Sequence, residues 1–157
     1  MKTLIILIVI VALVVAWYLF RPEKLFISST VNEEFPESTE AGNPDILYEG
    51  TFKPVAHDAK GVATVYDVGD GKRILRFTEF EVSNGPDVHV WLVAADEPMD
   101  SETVKNSEVY ELGSIKGNVG NQNYVLGPDL DLNQYRSVVI WCKRFGVNFA
   151  VAELESK

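Results

Sequence analysis

One cysteine and two histidines are the side chains in this sequence best suited to nucleophilic, redox or metal chemistry. Cys142 stands in "SVVIWCKRFGVNFAVAEL", residues 137 to 154, after a tryptophan and directly before Lys143 and Arg144. Adjacent cations favour thiolate, the form that attacks or binds metal. A lone cysteine forms no intramolecular disulfide, and on a strand it serves equally well as a small apolar filler of the core. His57, in "PVAHDAKG", and His89, in "GPDVHVWL", would complete a His2Cys set able to hold copper or zinc. The blue-copper arrangement is disfavoured, because no His or Met follows Cys142. A cysteine hydrolase is disfavoured too, since strand alternation aims His89 and Cys142 at different kinds of face and no oxyanion-hole pattern stands out. Asp87, Asp96, Asp129 and Asp131 lie near Gly or Pro, where turn chemistry explains them more simply than calcium does. "GNVGNQNYVLG", residues 117 to 127, follows no phosphate-binding spacing and opens no helix.

The elements that must position these residues are short strands. From residue 46 onward, stretches rich in Val, Ile, Phe and Tyr recur between turn signals: "ILYEGTF", "GVATVYDV", "RILRFTEFEV", "VHVWLVAA", "SEVYELG", "QNYVL", "SVVIWCK" and "VNFAVAEL". About eight strands at this spacing predict an all-β fold, an antiparallel β-sandwich. "GDGK" at 69 to 72 reads as a hairpin turn, and "SNGP" at 83 to 86 as an Asn-Gly turn closed by proline. "DEPMDSETVKN" is the one place for a helical turn, with Asp100 or Ser101 as N-cap. Read with period two, strand 88 to 94 sends Val88, Val90, Leu92 and Ala94 to the core and His89, Trp91 and Val93 to a mixed face. Strand 137 to 143 likewise sends Val138, Ile140 and Cys142 inward and Trp141 and Lys143 to the mixed side. Cys142 thus points at the core, yet at a strand end expected to open toward the basic turn.

Ahead of the strands, "LIILIVIVALVVAWYLF" at 4 to 20 is an unbroken apolar run. At ~1.5 Å per residue it predicts one N-terminal transmembrane helix in contact with a lipid bilayer. It ends in "AWYLFRP", with interfacial aromatics and no A-x-A site, so an uncleaved signal-anchor is expected. The chain divides into an anchor at 1 to 21, an acidic flexible tether at 22 to 45, and a sandwich domain at 46 to 157. Residues 22 to 157 hold 12 Lys or Arg against 23 Asp or Glu, a net of −11. That balance excludes nucleic-acid binding, which needs a cationic stripe, and favours display outside the cytoplasm, periplasmic or extracellular.

Taken together, "GPDVHVWLVAA", "LGSIKGNVGNQNYVL" and "SVVIWCKRFGVNFAVAEL" resemble the DM13 domain, an extracytoplasmic module associated with electron transfer. The resemblance covers about 47 to 154. Cys142 matches the cysteine that marks the family, in the same Trp-Cys-Lys setting, and Gly85, Pro86, Asp87, Trp91, Gly113, Gly117, Gly120, Gln122 and Tyr124 fall on other motif positions. It implies a β-sandwich whose cysteine acts as a redox thiol or as ligand to a prosthetic group such as haem. The site would comprise Cys142 with Trp141, His89 and Tyr124, walled by the "GNVGNQNYVL" loop and the "GPDVH" turn. The implied partner is a redox protein of the envelope. The rival reading is a non-catalytic module in which the cysteine is packing and the surface binds an envelope protein or a glycan.

Overall fold

The computed structural model describes residues 2 to 20, 28 to 36 and 44 to 157. Ten strands and two helices occur among them: α1 (Lys2–Phe20), β1 (Asp45–Thr51), β2 (Lys53–Pro54), β3 (Ala59–Asp67), β4 (Arg73–Val82), β5 (Val88–Val93), α2 (Ser101–Lys105), β6 (Val109–Ser114), β7 (Gln122–Leu126), β8 (Ser137–Cys142), β9 (Val147–Glu153) and β10 (Glu155–Ser156). All eight stretches expected as strands are strands; β2 and β10, two residues each, are additional. They form two five-stranded sheets with antiparallel pairing, in the orders β10-β1-β3-β4-β7 and β2-β9-β8-β5-β6. The β3–β4 hairpin turns at 69 to 72 as its Gly-Asp-Gly sequence requires, with three successive positive φ angles and a Lys72 N–H bond to Gly69 O of 3.0 Å. "SNGP", in contrast, carries the chain from one sheet to the other.

Facing sides of the two sheets make one core. Phe77, Leu75 and Val65 from the first sheet are fully buried with Val90, Leu92, Val138 and Ile140 from the second. Rings of Phe52, Phe77 and Phe80 meet at centroid distances of 4.9 Å, a spacing at which aromatic pairs add to the burial term. A second, smaller cluster lies outside the second sheet, where Val104 of α2 covers Val93, Val139, Trp141 and Val151. The face expected to be mixed is therefore half roofed. That roof is held by Asp100, whose side chain caps α2 by accepting from Thr103 N–H at 2.7 Å.

The apolar run at the N-terminus is helical as α1. No helix among the described residues is long and apolar enough to cross a membrane. The stretch expected as a flexible tether lies partly outside the described residues, but 28 to 36 are packed on the sandwich: Val31 N–H donates to Val119 O at 2.9 Å and Glu33 N–H to Asn121 O at 2.9 Å.

Candidate functional site: the loop end of the sandwich and the cysteine behind it

Cys142 is the last residue of β8, paired with Val88 on β5 and Val147 on β9. Its relative exposure is 0%. The backbone around it is closed on both sides, Gly146 N–H donating to Cys142 O at 2.8 Å and Lys143 N–H to Asp87 O at 2.9 Å. The expected opening at the strand end is absent, because the tight 143–146 turn returns the chain directly into β9. Alternation also separates the neighbouring cation from the thiol: Lys143 Nζ lies 3.1 Å from Glu111 Oε2, on the outer face of the sheet.

Two of the expected site residues lie on that outer face together. His89 is the register partner of Trp141, and the Trp141 ring stacks on Trp91 at 4.9 Å and 22°. His89 Nε2 bonds to Asp87 Oδ1 at 2.8 Å. Its Nδ1 lies 2.8 Å from Glu111 Oε1, but too far off line to count as a hydrogen bond, and Trp91 Nε1 likewise lacks one among the described residues. The sheet itself therefore stands between Cys142 and both Trp141 and His89. His57 is elsewhere, its ring 3.9 Å from that of Phe149. The His2Cys set does not converge, and no group of three or more His, Cys, Asp or Glu among the described residues could hold a metal ion. Asp96 pairs with Arg136 at 2.6 Å and Asp131 Oδ1 accepts from Asn133 N–H at 2.8 Å, so both carboxylates serve turns and surface pairs.

Tyr124 belongs to the opposite sheet, packed at 5.2 Å from the Phe77 ring. Its hydroxyl donates to Gln122 Oε1 at 2.8 Å. Burial pushes the phenol far up from its usual range, offset only in part by the Lys116 N–H and reinforced by the Glu33 charge. Gln122, itself fully buried, receives Gly117 N–H at 3.3 Å and donates to Gly117 O at 2.7 Å. Gln122 and Tyr124 thus pin the loop at 116 to 117 from inside the core.

That loop is one wall of a cavity of about 440 Å3 at the end of the sandwich. Residues 82 to 88 form the other wall, and Ser29 contributes from the N-terminal segment. The walls are joined by Val82 N–H to Asn118 O at 2.9 Å and Ile115 N–H to Val88 O at 3.0 Å. Val88 is the connection to the cysteine: it lines the cavity and is also the strand partner of Cys142. Directly opposed antiparallel residues point to the same side with Cβ atoms ~5 Å apart, so Cys142 is the side-by-side neighbour of a cavity-lining residue.

A family model described as electron transfer DM13 matches residues 51–154, which contain the cavity walls, the pinning pair and Cys142. The chain belongs to the DM13 family. No curated protein and no solved structure matches it. In the DM13 domain of this chain, neither a sulfur nor an imidazole is among the groups lining this cavity. Trp141, His89 and Tyr124 do not line it either.

Sequence reasoning missed the part of the site that lies outside the DM13 match. Glu33 accepts from Lys116 Nζ at 2.7 Å and from Asn123 N–H at 2.7 Å. Burial alone would raise its carboxyl, but these bonds and the charges of Lys116 and Arg76 outweigh it and hold the carboxyl below the usual range. The only signal was the alternation Val31, Glu33, Phe35 inside a run of acids.

Proposed function

We propose that this chain is a membrane-tethered DM13 module that transfers electrons outside the cytoplasm, with Cys142 as its redox group. The observation that carries the reading is the double role of Val88, at once cavity wall and strand partner of the one cysteine. A partner's redox group seated in the cavity would stand against Val88, the neighbour of Cys142, a short path for electrons, while the dry core keeps the thiol from adventitious oxidants. Tethering is supported by α1, whose apolar side chains are exposed around the whole helix, Leu4, Ile8, Leu13 and Trp17 each at 60% or more. A helix apolar on every side belongs in lipid or in a core, and apolar helix ends with aromatics suit a bilayer interface. The acidic sandwich supports display away from anionic lipid.

The test is oxidation of the purified full chain by a one-electron oxidant, hexachloroiridate(IV), which takes one electron from the Cys142 thiol as its proton passes to solvent. Wild type is expected to consume more oxidant than Cys142→Ser, while the variant keeps the fold and melts only at a somewhat lower midpoint. Identical traces for the two proteins would exclude Cys142 as the redox group.

Complete burial of the sulfur favours a second reading, a binding module for an envelope protein or glycan in which Cys142 only packs. In that case Cys142→Ala leaves every partner interaction intact.

A further inference from the structure

Residues 28 to 36 lie outside the DM13 match at 51–154, yet they sit along one edge of the domain as a bound peptide would. Their backbone is held by the loop at 118 to 121: Val31 N–H to Val119 O and Glu33 N–H to Asn121 O, each 2.9 Å, with Thr30 and Val119 bridged in parallel. Side chains of the domain then read the segment. Lys116 Nζ sits 2.7 and 2.9 Å from the two carboxylate oxygens of Glu33, and Asn123 N–H donates to the same group. Arg76 donates to Glu33 O at 3.2 Å and lies 5.6 Å over the Phe35 ring, which meets Tyr66 edge-on at 4.9 Å. The approach is too close for a side chain: a Cβ on Gly117 would stand 2.5 Å from Ser29 O and 2.9 Å from Val31 Cγ2.

We infer that the edge formed by Gly117–Asn123 with Lys116 and Arg76 is a peptide-recognition site, and that residues 28–36 of this chain are its built-in occupant. Its ligand class is an extended segment with a glutamate two residues before a phenylalanine. Backbone pairing along the edge supplies affinity, as in strand addition, while the carboxylate and ring pockets supply selectivity. A tethered occupant acts at millimolar effective concentration, so a free peptide competes poorly until the tethered one is weakened. Because Ser29 of the occupant also lines the cavity, occupancy of the edge shapes the cavity mouth. None of this depends on what Cys142 does.

The experiment titrates a fluorescent peptide of residues 28–36 into the full chain. Glu33→Ala with Phe35→Ala in the protein, which weakens the built-in segment and leaves the edge intact, is expected to tighten peptide binding at least about tenfold over wild type. Lys116→Glu added to that variant should abolish binding of the native peptide and restore it for a peptide carrying Glu33→Lys. Hydrogen exchange on wild type supplies a readout that needs no variant to fold: excess peptide should speed exchange of the Val31 and Glu33 amides. Equal affinity for wild type and the weakened variant, indifference to Lys116→Glu, or amides unaffected by excess peptide would each overturn the inference.

Discussion

The two faces of the sheet β2-β9-β8-β5-β6 carry different kinds of chemistry although their residues alternate along the same strands. On the inner face Val88, Val90, Val138, Ile140 and Cys142 join the main core, with no charged side chain among its buried members. On the outer face Trp91 and Trp141 stack, His89 stands between Asp87 and Glu111, and Lys143 pairs with Glu111. Residues 141, 142 and 143 are consecutive, so the tryptophan and lysine expected to surround the thiol are carried to the far side of the sheet by the period of two. Sequence adjacency on a strand separates groups; register brings them together. The residues beside Cys142 are its strand partners, Val147 across the turn and Val88, more than fifty positions away.

Several substitutions sharpen this contrast. Ile140→Ala, at a fully buried inner position, is expected to cost about 2–5 kcal/mol in denaturant melts, with little dependence on salt. A loss within the range of exposed sites would mean that the inner face is not the core. Cys142→Ser comes next, at ~1–3 kcal/mol, because a dry site must satisfy the hydroxyl. Cys142→Ala should cost no more than ~1–2 kcal/mol. Alanine proving the worse of the two would place a polar partner or water beside the sulfur.

Tyr124 gives the inner region a pH signature. Its folded-state pKa is raised, so its contribution is fully present below the ordinary phenol value of about 10 and is lost as pH climbs beyond it, where the unfolded chain ionises first. Melting midpoints should therefore fall above about pH 10, and Tyr124→Phe should flatten that fall. An unchanged alkaline slope in Tyr124→Phe would assign the effect to other groups.

The outer face should respond least. Lys143 and Glu111 are about 40% exposed, and such pairs are screened by solvent. Lys143→Met is expected to change stability by less than ~1 kcal/mol, in a way that shrinks further in high salt. A loss as large as that of Ile140→Ala would erase the distinction between the faces.

The strands and the inward aim of Cys142 were legible because half-buried strands write their faces into alternate positions, as in Val88-His89-Val90-Trp91-Leu92. Asp100 was legible as a cap because its side chain needs only the next turn's N–H. Other features leave no periodic trace. α2 is five residues long, so nothing in its pattern announces that Val104 roofs Val139 and Trp141. The 28–36 segment is held by backbone bonds and one carboxylate, and its composition therefore reads as tether. The closed end of β8 depends on how tightly the 143–146 turn returns, and Tyr124's role depends on Gln122 meeting the backbone of Gly117. These are long-range matters of register and loop closure.

The central claim is that Cys142 communicates with the cavity through the Val88 layer. Native-state alkylation of the full chain tests it most directly, comparing wild type with Val88→Ala. Wild type should label at least about 100-fold more slowly than the unfolded chain, and Val88→Ala should label about tenfold faster than wild type, by more than its loss of global stability accounts for. Labelling of Val88→Ala that tracks global unfolding alone would contradict the claim and leave the cysteine as packing.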